Sequence, residues 1–124
     1  MSRYRQLKGI AFNLGDSFCS ATNHHYLYEL GHYAPDSVSI DLLAGEVVPV
    51  KYNTSNAKKA VDWYAKWFKS EIKKSGIDIK EIEKVMIKLS FRKGKLCMNY
   101  ICSILIKAKG REYKAEIKSG WGMW

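Results

Sequence analysis

The sequence has only two prolines, three cysteines and three histidines in 124 residues, and it has no long unbroken apolar run. Scattered proline and glycine exclude a low-complexity linker. No internal similarity recurs at 20–50 residues, which argues against a solenoid. The longest apolar segment, Leu96–Ile106, is interrupted by Asn99 and Ser103. It falls well short of the ~20 residues that a helical membrane span needs. No apolar run follows the polar, basic start Met-Ser-Arg-Tyr-Arg-Gln-Leu-Lys, so no secretory signal is expected. An odd number of cysteines without framework spacing predicts free thiols rather than a disulfide scaffold, and a reducing, cytoplasmic setting. Gly-x-Gly-x-x-Gly, Walker and Gly-x-Ser-x-Gly patterns are missing, so neither a nucleotide cofactor nor a serine nucleophile is expected. Gly120-Trp121-Gly122 is no phosphate cradle.

What is present fits a folded domain. Hydrophobic residues make up 47% and charged residues 27% of the chain, which argues against disorder. The length predicts one α+β domain over residues 1–124. The net charge of +9 is uneven. Residues 1–50 carry a balance of −2 and residues 51–124 a balance of +11. Such asymmetry points to an anionic partner for the second half.

Periodicity predicts the elements. Ile10, Phe12 and Leu14 share a parity and predict a strand over 7–14, ended by Gly15-Asp16-Ser17. The tyrosine-rich stretch 25–33 predicts a second strand, closed by Ala34-Pro35-Asp36. Val38, Ile40 and Leu42 predict a third, and Val47–Tyr52 returns after Ala44-Gly45-Glu46 as an edge strand that tolerates Pro49. From an N-cap at Thr54 or Ser55, Ala57, Ala60, Val61, Tyr64, Phe68 and Ile72 form one apolar helical stripe, stopped at Gly76. Residues 78–83 read as a connector or helical turn. Val85–Phe91, Leu96–Ile106 and Tyr113–Ile117 then alternate around Lys93-Gly94-Lys95 and Lys109-Gly110-Arg111, a C-terminal three-stranded meander. The expected architecture is a mostly antiparallel sheet of six or seven strands, with one main amphipathic helix over about 55–75 on one face.

Three sets of residues could carry function. Lys59, Lys66, Lys69 and Lys73 lie on the polar face of the helix with Trp63 at its border, and Lys88 and Arg92 lie on the polar face of the meander. Cations along a path and an exposed aromatic face are what nucleic-acid binding needs. A solvated lysine face with Trp63 and Trp67 packed at the helix border would look the same in sequence. A helix covering one sheet face would separate the two basic surfaces. The second set is the tail, where Trp121 and Trp124 would dock on the core, on a second subunit or on another partner. The third is His24, His25 and His32. An extended strand separates His24 from His32 by roughly 26 Å, so no metal site is expected. A general acid–base histidine oriented by Asp16, Glu29 or Asp41 would make a metal-independent nuclease. The leading expectation is a non-enzymatic binding protein for an anionic partner, with nucleic acid ahead of an acidic protein. An inhibitor-like or immunity-type interaction module is the alternative, and the nuclease is the third. The edge strand and tryptophan tail leave room for a homodimer.

Overall fold

The computed structural model describes residues 3–19, 37–93 and 97–122. The predicted strand over 25–33, the three histidines and Trp124 lie outside these residues, as do 94–96 in the expected turn. A short 3-10 turn, Arg3–Arg5, leads into helix α1, Gln6–Phe18. Strands β1, Ser37–Asp41, and β2, Glu46–Val48, form a hairpin. A 3-10 turn, Val50–Tyr52, leads to helix α2, Ser55–Lys74. After a third 3-10 turn, Ile79–Glu81, come β3, Ile82–Lys93, β4, Cys97–Ala108, and β5, Arg111–Gly122. The five strands form one antiparallel sheet in the order β2-β1-β3-β4-β5.

The class is α+β as expected, but among the described residues the sheet has five strands, not six or seven, and two helices rather than one. The expected strand over 7–14 is α1. Leu7, Ile10, Ala11, Leu14 and Phe18 are buried at spacings of three and four, whereas Phe12 is 52% exposed. The alternation of Ile10, Phe12 and Leu14 thus concealed a helical stripe. The expected turn at Gly15 lies inside that helix because α1 closely approaches the sheet there. A Cβ at Gly15 would come within 3.0 Å of Ile117 and 3.1 Å of Ile104. The return strand over 47–52 stops at Val48, since Pro49 has no N–H to extend the ladder. Among the described residues it is an edge strand.

Helix α2 starts where the sequence places it. The Thr54 side chain accepts a hydrogen bond from the Ala57 N–H at 3.2 Å. At its end Gly76 has φ +73°, and Ile77 N–H and Gly76 N–H reach back to the carbonyls of Ile72 and Lys73. This reciprocal pair satisfies carbonyls that the last turn would leave open.

Both helices cover the same sheet face. The row Val47–Ile40–Ile87–Ile104 crosses four strands and is buried throughout, ending at half-buried Ala115 on β5. Helix α1 lies over β4 and β5. Helix α2 sends Ala57, Val61, Tyr64, Phe68 and Ile72 into the same core. Two contacts tie the helices together. The Tyr64 hydroxyl donates to the Ser17 carbonyl at 3.0 Å, and its ring meets Phe18 edge-on at 5.2 Å. The Tyr100 hydroxyl donates to the Cys19 carbonyl at 3.2 Å and closes the end of α1 onto β4. Cys19 and Cys102 are buried free thiols. The hydrogen bond with Cys19, together with burial, pushes the Cys102 thiol far up, so it stays protonated and unreactive.

Among the described residues no helix is long and apolar enough to cross a membrane.

Candidate functional site

The sequence-predicted site residues fall on two opposite surfaces. On the outer face of α2, Lys59, Lys66, Lys69 and Lys73 are all exposed. Lys59, Lys66 and Lys73 recur every seven residues, so they form a line with steps of roughly 10.5 Å at 1.5 Å per residue. None of these four lysines forms an ion pair among the described residues, whereas Lys74 pairs with Glu71 at 3.5 Å. Their charge is therefore free to meet a ligand.

Trp63 stands beside this line and is 57% exposed. The two helix tryptophans are not placed alike. Trp67 is half-buried against the core, while Trp63 projects outward. The difference is one of angle. At 100° per residue Trp63 lies some 40° from Lys59, and Trp67 lies another 40° round toward the buried stripe. The Trp63 ring is nonetheless braced. It meets the ring of Tyr64 edge-on, with centroids 4.7 Å apart and planes at 74°. Tyr64 is itself anchored to α1 through Ser17 and Phe18. The site is therefore an exposed aromatic face, backed by Tyr64, beside exposed cations.

Lys88 and Arg92 lie on the sheet face opposite α1 and α2, so the two basic surfaces do not merge. Cross-strand register places Lys88 beside Ser39 and Ser103, and Arg92 beside Asn99. Met86, Lys88, Ser103, Leu105, Lys114 and Glu116 line a shallow, open concavity of about 590 Å³ on this face. Strand parity puts six basic side chains here, Lys84, Lys88, Arg92, Lys107, Lys114 and Lys118, with four acids, Asp41, Glu46, Glu112 and Glu116, and Glu83 at the β3 irregularity adds a fifth by pairing with Lys107 at 3.8 Å. In α2 six lysines face two acids. The denser unbalanced charge thus belongs to the helix. The apolar floor of the concavity, Met86 and Leu105, is absent from the sequence-based site. The signal available was β4, whose second face carries Ile101 and Leu105 between polar residues.

In the tail, residues up to Gly122 continue β5, with Ser119 opposite Tyr100 and Trp121 opposite Met98. No cluster of three or more metal-ligating side chains occurs among the described residues.

A third group had no sequence signal, because its members are far apart in the chain. The Tyr4 hydroxyl donates a hydrogen bond to Glu81 Oε2, Lys109 Nζ lies 3.9 Å from Glu81, and the Lys109 ammonium sits 5.1 Å from the Tyr4 ring centroid. The bond to Glu81 raises the Tyr4 hydroxyl above its ordinary 10.0, and the bond to Tyr4 followed by the charge of Glu81 raises Lys109 above 10.5. Both protonated forms are therefore favoured by folding. Their stabilisation is complete below these ordinary values and is lost as pH rises through the raised ones. In thermal melts across the alkaline range, Tm is expected to fall past pH 10.0, and Glu81→Gln is expected to flatten that fall. Identical alkaline slopes for the two proteins would exclude the coupling.

No family model matches the chain, and comparison with curated proteins and with solved structures finds no significant match.

Proposed function

We propose that this is a nucleic-acid-binding protein that holds single strands on the outer face of α2. The observation that carries the reading is Trp63, a braced indole 57% exposed beside the unpaired lysine line. An exposed indole offers a flat face, and every base offers a face to stack on it. Lys59, Lys66, Lys69 and Lys73 supply phosphate contacts along the same path. Stacking on a side chain needs an unstacked base, so single strands are favoured over duplex.

Fluorescence anisotropy of labelled single-stranded and duplex DNA and RNA tests this across a salt series. Trp63→Ala is expected to weaken single-strand binding by about 1–3 kcal/mol, roughly 5- to 150-fold, if one base stacks there. Its melting temperature should match that of the parent, because the ring contributes little to the core. Equal single-strand affinity for both proteins would sink the proposal.

A second reading follows from the open sheet face. There Met86 and Leu105 lie among Lys84, Lys88 and Lys114, a surface that suits an acidic protein segment with apolar side chains. A stoichiometric partner that releases in high salt, with no oligonucleotide binding at low salt, would favour it.

A further inference from the structure

We infer that the outer edge of β5 pairs with β5 of a second copy, joining two sheets into one continuous sheet that has ten strands among the described residues. β5 is 12 residues long and has β4 as its one neighbour among the described residues. The other edge, β2, has three residues and ends at a proline, so it offers little ladder. The β4–β5 turn fixes which groups of β5 are free. Lys109 and Gly110 have φ of 50° and 74°, a two-residue turn closed by the pair Ala108 and Arg111. Such a turn makes that pair hydrogen-bonded, and the pattern alternates along the ladder. Arg111, Tyr113, Ala115 and Ile117 thus bond to β4, while Glu112, Lys114, Glu116 and Lys118 direct their N–H and C=O groups to the open edge.

Charges on an edge usually discourage pairing. Here their order does the reverse for one partner. Glu112, Lys114, Glu116 and Lys118 alternate in sign on one face. Laid antiparallel on itself with Ala115 opposite Ala115, the strand sets Glu112 against Lys118 and Lys114 against Glu116. Symmetry repeats both pairs, so all four charges of each copy meet an opposite charge. Moving the centre by one residue, to Lys114 or Glu116, sets like charges opposite each other and costs stability. The pattern therefore selects both the partner and the register. On the other face the same register sets Tyr113 against Ile117 and Ala115 against itself, all three half-buried in one copy.

An exposed ring supports the same edge. Phe12 is 52% exposed. At 100° per residue it lies about 60° from Gly15, which faces Ile117 of β5, and about 140° from Ser17, which faces α2. It thus flanks the β5 edge. The two-fold axis of an antiparallel pairing runs perpendicular to the sheet. The α1 helices of both copies then lie side by side and cover Phe12.

Sedimentation velocity over a concentration series tests the pairing. The parent protein is expected to form a dimer. Lys114→Glu alone and Glu116→Lys alone each turn two attractive pairs into repulsive ones, and each should weaken the dimer at least about tenfold. Mixing the two variants restores opposite charges across the axis, so a heterodimer is expected from two monomeric proteins. This recovery also shows that both variants are folded. A parent that stays monomeric up to its solubility limit overturns the inference. So do single variants that dimerise like the parent, or a mixture that stays monomeric.

Discussion

Replacing Lys59, Lys66 and Lys73 together by alanine is expected to weaken single-strand binding by one to two orders of magnitude at physiological salt. Each phosphate contact on a single strand contributes about 0.7 to the slope of log affinity against log salt. Losing three contacts should flatten the slope by about 2, which is roughly 50-fold at 0.15 M salt. The loss should shrink at high salt, where counterion release is worth little. The side chains are exposed and lack ion-pair partners among the described residues, so stability should change little. Glu71, paired with Lys74, is untouched. Lys88→Ala with Arg92→Ala is the internal control. These two lie on the other sheet face, and a strand held on α2 should not register their loss. An unchanged slope in the helix variant would show that the lysine line is only a solvated surface.

Phe68→Ala should have the largest effect on stability. Phe68 is 1% exposed, at the centre of the α2 stripe, and belongs to the shared core with Val38, Ile40 and Val47. Truncating a buried phenylalanine removes its transfer free energy and leaves a cavity that neighbours fill only in part. The expected loss is about 3–5 kcal/mol. A domain of this size holds about 5–15 kcal/mol in total. Tm should fall by about 10–20 °C in calorimetry, given the size scaling of unfolding entropy. Trp63→Ala, five residues earlier on the same helix, should leave Tm almost unchanged. That contrast separates the two faces of α2 in one experiment. A small shift for Phe68→Ala would show that α2 does not cover the sheet as described.

Helix α2 and the three C-terminal strands were legible in the sequence because each has a single dominant period. Val61, Tyr64, Phe68 and Ile72 repeat at three and four, and Val85, Ile87, Leu89 and Phe91 at two. Helix α1 was not legible because Phe12 is apolar yet exposed. One misplaced ring turned a helical stripe into an apparent alternation. Gly15 added to the error, since a glycine that admits close packing looks the same in sequence as a glycine that turns the chain. Of the candidate site, the lysine line was readable from spacing alone. The exposure of Trp63 against the burial of Trp67 was not, because 40° of helix rotation separates them and only the packing of α2 sets the boundary. The separation of Lys88 and Arg92 from the helix lysines followed from having a helix on one face. The Tyr4–Glu81–Lys109 group depends on chain segments brought together by the whole fold, and no local pattern encodes it.

The close seat of α1 on β5 has a consequence for how the chain matures. Gly15 rests against Ile117, about a hundred residues further along the chain. Neighbouring strands of the meander find each other across short turns, and such local contacts form early. α1 must wait. At roughly 5–20 residues per second, synthesis on the ribosome leaves on the order of 5–20 seconds between the helix and the last strand that covers it. During that interval Leu7, Ile10, Leu14 and Phe18 have no finished surface to bury against, so the apolar stripe of α1 stays open until β5 has been made.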